Sequence, residues 1–190
     1  KKFNLKKIKA IIVMYHSGYP QNAENFKKLK KIFKSTIIED ACHALGAKYQ
    51  VKDKKFKIGS CKHADISTFS LHPLKTITTG EGGIITTNSK PIYDKLILLR
   101  SHGIQRNNRK HWEYDVYYNS LNFRLTDIQC ALGISQLSKI DKFVMTLPIS
   151  VLPSLSGNQT IGPMFVLLSA SISTLLYTIT STMFQLSCLT

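Results

Sequence analysis

All 37 charged residues of this 190-residue chain lie in its first 142 positions, and residues 143–190 contain no Lys, Arg, Asp, Glu or His. This boundary limits the fold more than any other feature, because surface helices and half-buried strands are recognised by apolar positions alternating with charged or polar ones. The two parts cannot be built alike. The tail carries 15 Ser or Thr and prolines at 148, 153 and 163, with no sustained helical or strand period. A reading-frame shift near residue 143 would produce so sharp a change. A membrane anchor is the second reading, since residues 164–189 are uncharged and long enough to span roughly 30 Å as a helix. The many hydroxyl residues, Gln185 and the lack of flanking Lys or Arg argue against it. An extension without packed structure is the third. The expectation is a folded unit over 1–142 and an uncharged tail over 143–190, frame-shifted or disordered. With lysine at position 1, the whole reads as an internal fragment.

Residues 1–142 have the pattern of a layered α/β domain. Lys9–Tyr15 reads as a strand, and Asn22–Phe33 places Ala23, Phe26, Leu29, Ile32 and Phe33 at helical spacing among lysines. With the strand Thr36–Glu39 they make a βαβ unit, whose crossover should be right-handed. Asp65–Phe69 and Gly83–Thr87 read as two further strands. Pro91–Leu99 reads as a helix with proline in its first turn, and Thr126 as the cap of a helix running to Asp141. The intervening stretch, Ser101–Ser120, is a long loop of the kind that carries function or moves. The expected architecture is three layers, a mostly parallel sheet flanked by helices.

Between the strand at 65–69 and the strand at 83–87 lies Ser70-Leu71-His72-Pro73-Leu74-Lys75, followed by Thr79-Gly80-Glu81-Gly82-Gly83. Proline and the glycine run stop regular structure there, so Lys75 sits on a loop between two strands. A lysine is a nucleophile only as the free amine, and an unperturbed pKa of about 10.4 leaves only about one in a thousand neutral at pH 7. A rigid, partly buried loop is one way to change that. Most of the 22 lysines must be solvated surface groups, so context decides whether Lys75 differs.

That context lies 35 positions upstream, in Thr36-Ile37-Ile38-Glu39-Asp40-Ala41-Cys42-His43-Ala44-Leu45-Gly46. Asp40 ends a short apolar strand, the place where open α/β sheets gather ligand-binding groups. A buried carboxylate there needs a cationic partner, such as a protonated pyridine nitrogen. The alternative reading of the same residues makes Asp40 a loop cap and His43 a satisfied core histidine.

Over about residues 9–142, four motifs in order, Glu39–Gly46, Phe69–Lys75, Gly80–Gly83 and Leu121–Asp127, resemble the DegT/DnrJ/EryC1/StrS sugar aminotransferases, which use pyridoxal 5'-phosphate. The resemblance implies a fold type I enzyme whose large domain is present in part over 1–142. It implies that Lys75 bonds the cofactor and later moves a proton between two substrate carbons, and that Asp40 pairs with the pyridine nitrogen. His43 would reach the ring hydroxyl and Ser70 the phosphate, with Asn122 reaching the phosphate from the neighbouring subunit of a homodimer. His43, Ser60–Asp65 and Thr126–Gly133 look most like the branch that aminates a UDP-linked 4-keto-6-deoxy-N-acetyl sugar in pseudaminic acid synthesis, with glutamate as donor. With segments of the family pattern absent, little or no turnover is expected of the 190 residues themselves, and an inactive or regulatory relative is the alternative.

The net charge of +15 and pI near 9.7 raise a nucleic-acid-binding module as a rival. The excess is almost entirely lysine, with only four arginines; the basic residues are spread along helix faces and loops and no zinc-finger or RNA-recognition pattern is present, so no nucleic-acid partner is expected. Cys42, Cys61, Cys130 and Cys188 have no metal-ligand or local pairing spacing, and the remaining histidines form no metal cluster. Reduced thiols in a cytoplasmic protein are the expectation, without metal, membrane span or signal peptide.

Overall fold

Branched aliphatic residues at 10–14 and 36–40 favour extended backbone, and both runs are strands: β1 (Ala10–Met14) and β2 (Thr36–Asp40). The computed structural model describes residues 7–20, 23–106, 110, 112–146 and 164–168. Between β1 and β2 runs α1 (Ala23–Phe33), and the two strands pair in parallel with Ile11 opposite Ile37. A hairpin follows, β3 (Lys48–Val51) and β4 (Lys54–Lys57), turned through Lys52 at φ +53°. β5 (Ile66–Ser70) lies parallel to β2, and β6 (Gly83–Thr86) antiparallel to β5. α2 (Lys90–Arg100), the short pair β7 (Ile104–Gln105) and β8 (Asp115–Val116), α3 (Asp127–Leu137) and α4 (Ile140–Thr146) complete residues up to 146. β9 (Met164–Leu168) pairs antiparallel with β1, giving a five-stranded sheet in the order β6-β5-β2-β1-β9.

Side chains alternate across the sheet, and this divides the core in two. Ile11, Val13, Ile37 and Phe69 pack with Ala23 and Phe26 of α1 and with Tyr49 of the hairpin. On the opposite face Ala10, Ile38 and Ile66 pack with Leu99 of α2. Three layers result. The sheet is mixed: its three central strands are parallel and both edge strands antiparallel.

Several sequence expectations differ in detail. The helix expected from Thr126 to Asp141 starts at its cap, where the Thr126 hydroxyl accepts from Gln129 N–H in a capping box. It stops at Ser138, and α4 then runs across position 142 to Thr146. Helical backbone needs no charge, so the compositional break falls inside a helix. No strand was expected in the tail, yet β9 is one. Its five apolar residues are a run that fits a strand without alternation, and its bonds to β1 are made by backbone. The rest of the tail, including most of the 164–189 anchor candidate and Cys188, lies outside the described residues, as does Asn22. Among the described residues no helix is long and apolar enough to cross a membrane.

One buried carboxylate interrupts the apolar face that β2 turns toward α1. Glu39 is 2% exposed and accepts hydrogen bonds from the Tyr15 hydroxyl at 2.9 Å and from the Ser67 hydroxyl. Burial raises its pKa above the ordinary 4.5, while these hydrogen bonds pull the other way. The folded chain therefore holds this proton more readily than the unfolded one. The associated stability is present at low pH and lost as pH rises through the folded pKa. Glu39→Gln keeps an acceptor for Tyr15 and a donor for Ser67 without the charge. Urea unfolding at pH 5 and pH 8 is expected to show a smaller loss of stability with pH for this variant. Tyr15→Phe, which leaves the carboxylate short of a donor, should be less stable by about 1–3 kcal/mol.

Candidate active site

Parallel pairing sets the carboxyl ends of β2 and β5 side by side, with Asp40 opposite Thr68. Chain leaving a sheet at such ends has side chains and backbone groups free for a ligand. Past Asp40 the backbone turns at once: Ala41 N–H donates to the Thr68 carbonyl at 2.9 Å, and Ala44 N–H to the Ala41 carbonyl at 2.8 Å. This turn carries Cys42 and His43. A short 3₁₀ turn, His16–Gly18, closes against it. Gly18 has φ +78°, and a β-carbon there would lie 2.4 Å from the His43 carbonyl oxygen. Only glycine fits this approach.

Beyond Ser70 the chain forms a loop closed at its base by Leu71 N–H donating to the Gly82 carbonyl at 2.8 Å. Inside it, Thr79 N–H and the Thr78 hydroxyl both donate to the Leu71 carbonyl, at 3.1 and 2.9 Å. The Thr79 hydroxyl donates to the Glu81 carbonyl at 2.7 Å. Lys75 ends a tight turn, its N–H donating to the His72 carbonyl at 2.9 Å. Helix α3 braces the loop from outside. Gln129 Nε2 donates to the Glu81 carbonyl at 2.9 Å, Gln136 Oε1 accepts from Thr78 N–H at 3.3 Å, and Gly133 leaves room for Thr79. The loop is thus held at its base, its middle and one side, while Lys75 stays half-buried.

Between the two loops lies a cleft of about 480 Å³ lined by Cys42, His43, Lys75, Thr76, Gln136 and Phe143, among others. Two of the residues expected from sequence, Lys75 and His43, therefore share one cavity wall although 32 positions separate them. Asp40 stands directly behind: its Oδ1 accepts from Cys42 N–H at 3.3 Å, and its charge acts on both Cys42 and His43. Ser70 ends β5 beside them, with its hydroxyl accepting from His72 N–H at 3.3 Å. Asn122 is elsewhere. It lines a separate cleft with Arg100, Arg124 and Gly83, and its Oδ1 accepts from Arg124 N–H at 3.1 Å.

The charges around the cleft are coupled. Burial first, then the Asp40 charge and hydrogen bond, push the Cys42 thiol up to about 12, against the opposing pull of Lys75. Partial burial first, and the Lys75 charge second, hold His43 below its ordinary 6.5, while Asp40 pulls it up. At neutral pH the cleft thus presents a protonated thiol and a neutral imidazole. Sequence reasoning gave no role to Cys42, Gln136 or Phe143. The position of Cys42, two residues past a strand-ending carboxylate, was a usable signal; Gln136 and Phe143 reach the cleft only through helix packing. Among the described residues no group of three His, Cys, Asp or Glu side chains could hold a metal ion.

Residues 4–147 match the family model described as the DegT/DnrJ/EryC1/StrS aminotransferase family. A UDP-4-amino-4,6-dideoxy-N-acetyl-beta-L-altrosamine transaminase of Campylobacter jejuni is 43% identical over 138 residues, covering 73% of this chain and 35% of the relative. A GDP-perosamine synthase of Escherichia coli O157:H7 is 38% identical over 138 residues, with 73% and 35% covered. Among solved structures, PseC of Helicobacter pylori, an aminotransferase involved in the biosynthesis of pseudoaminic acid, superposes with a TM-score of 0.63 at 38% identity, covering 70% of this chain and 34% of that one. The Streptococcus pneumoniae sugar aminotransferase Spr1654 in its PMP form gives 0.60 at 26% identity, with 72% and 39% covered. The chain spans about a third of the length of the curated relatives it matches.

The coupling of His43 to Lys75 is directly measurable. An NMR titration is expected to find His43 protonating below 6.5, and Lys75→Met should raise that value by removing a positive charge. A His43 titration unaltered in Lys75→Met would show that the two side chains do not share the cleft.

Proposed function

We propose, because the chain belongs to the DegT/DnrJ/EryC1/StrS aminotransferase family, that it carries the catalytic lysine and ring-binding residues of a pyridoxal 5'-phosphate-dependent aminotransferase acting on a nucleotide-linked keto sugar. The observation that carries this is Lys75 on a braced loop, sharing a cleft with His43 and backed by Asp40. The relatives' names support the substrate class, and a UDP-linked keto-deoxy-N-acetyl sugar with glutamate as amino donor is the specific reading. Solved relatives in PLP and PMP forms support the cofactor.

The residues fit that group. A primary amine and a neutral imidazole line a space of about 480 Å³, with the Asp40 carboxylate behind the turn that carries the imidazole, a donor set suited to an aromatic aldehyde with a basic ring nitrogen. When bound, the cofactor supplies an electron sink. Lys75 would hold it through its amine, and the same amine, when free, would be the base placed to take and return a proton at the substrate. Asp40 would keep the ring nitrogen charged from the end of β2. His43, uncharged, can hydrogen-bond a ring oxygen without adding positive charge. Ser70 is assigned to the phosphate. Asn122, in a different cleft of the same chain, is assigned to the phosphate of a second subunit, which makes the working form a homodimer. Cys42, Cys61 and Cys130 are free thiols, which supports a reducing, cytoplasmic setting.

Mixing the purified chain with pyridoxal phosphate and borohydride is expected to fix the cofactor on the peptide containing Lys75, seen by mass spectrometry, with a visible absorption band before reduction. Lys75→Ala should lose both signals. Fixation at other lysines only would overturn the assignment and favour a catalytically inactive remnant of the fold.

A further inference from the structure

We propose that His72 is a positioning residue for Lys75: its imidazole caps the turn over 72–75 from within and so fixes where the lysine amine stands. The inference rests on the cofactor reading above for its purpose, but its geometry is independent of it. The braces on the loop act at its base and middle, through Leu71, Thr78, Thr79 and Glu81. None of these reaches the tip. There Leu74 is 83% exposed, so hydrogen bonds rather than packing must hold the backbone. Pro73 has no N–H, and its ring suits the second position of a β-turn, which leaves three N–H groups over residues 72–75. All three are bound through His72. Its own N–H donates to Ser70 Oγ at 3.3 Å, Leu74 N–H donates to its Nδ1 at 3.2 Å, and Lys75 N–H donates to its carbonyl at 2.9 Å.

Of the three bonds, only the one to Nδ1 depends on the imidazole. A ring nitrogen that accepts carries no proton, so the ring proton lies on Nε2, which faces the Glu81 carboxylate at 3.9 Å. Glu81 is itself held, since its carbonyl accepts from Gln129 Nε2 and from the Thr79 hydroxyl. Asparagine would reproduce half of this arrangement: its Oδ1 accepts from the N–H two residues on, the same bond that His72 Nδ1 makes to Leu74. Alanine reproduces neither half. With Leu74 N–H unpaired at an exposed tip, the turn is free to open. Lys75, whose own N–H closes that turn, then loses its fixed place in the cleft it shares with His43.

Two sets of measurements test this, and the first needs no cofactor. Nitrogen NMR of the wild-type chain at pH 8 is expected to find His72 as the Nε2–H tautomer; an Nδ1–H ring overturns the proposal whatever the variants do. Amide exchange at Leu74 should be roughly two- to tenfold faster in His72→Ala, as for one lost hydrogen bond, and His72→Asn should restore most of the protection. The His43 midpoint should rise in His72→Ala, in the direction of Lys75→Met, because the lysine charge that depresses it is no longer held in place. In His72→Asn it should stay near the wild-type value. Asparagine and alanine variants that behave alike, or a His43 midpoint indifferent to His72→Ala, overturn the positioning role. If His72→Ala fails to fold, the wild-type tautomer and the Leu74 protection retained in His72→Asn carry the test. The second set follows borohydride fixation of pyridoxal phosphate on Lys75 by mass spectrometry, with fixation at surface lysines as reference. His72→Ala should fix roughly two- to tenfold less at Lys75, and His72→Asn should recover most of it. Equal fixation by wild type and His72→Ala overturns the proposal. If the wild-type chain fixes no cofactor at Lys75 while the tautomer, exchange and His43 results hold, the cofactor reading fails and the hold of His72 on Lys75 stands.

Discussion

The hydrogen bond from Leu71 N–H to the Gly82 carbonyl closes the loop that carries Lys75, and the site depends on it. A twelve-residue excursion between β5 and β6 could adopt many conformations, and ordering it costs entropy for each residue. Closure at the base, together with the Thr78 and Thr79 bonds to Leu71 and the contacts from α3, selects one. Lys75 then has a defined place opposite the turn after β2. Without the closure its amine would be one more solvated lysine among the many on this basic chain.

The electrostatics of the cleft follow from that placement. Lys75 and Asp40 act with opposite signs on the two side chains between them: the lysine lowers the pKa of Cys42 and His43, and the carboxylate raises both. Burial decides the net direction for each, because it penalises whichever form is charged. For the thiol the charged form is the anion, and its pKa rises; for the imidazole it is the cation, and its pKa falls. One cavity thereby keeps both side chains neutral near pH 7, which leaves Lys75 and Asp40 as its chief charges.

Beneath the site the same sheet carries a second polar cluster with a different role. Glu39 precedes Asp40 in β2, and alternation turns it to the opposite side, into the core shared with α1 and the hairpin. There it is held by Tyr15 and Ser67. Tyr15, whose own pKa burial raises, ends the segment that leads into the His16–Gly18 turn beside His43. The buried cluster thus fixes the start of one wall of the cleft from below.

Much of this was legible in the order of residues, and the rest was not, for identifiable reasons. The strands at 10–14, 36–40, 66–70 and 83–86 announced themselves by runs of branched residues between turn signals, and the Thr126 cap by its partner Gln129, since both are local properties of the chain. The hairpin at 48–57 went unread although Tyr49, Val51 and Phe56 alternate with lysines, because lysine-rich segments read first as surface. The sequence by itself determined that Asp40, His43, Ser70 and Lys75 stand at or just past strand ends, which follows from periodicity and chain punctuation. Only the tertiary structure decided that parallel pairing of β2 with β5 brings Lys75 into one cleft with His43 in front of Asp40, that α3 and α4 wall the cavity, and that Asn122 belongs to another cleft. Those facts depend on contacts between residues dozens of positions apart, where packing and hydrogen-bond closure, not local preference, set the distance.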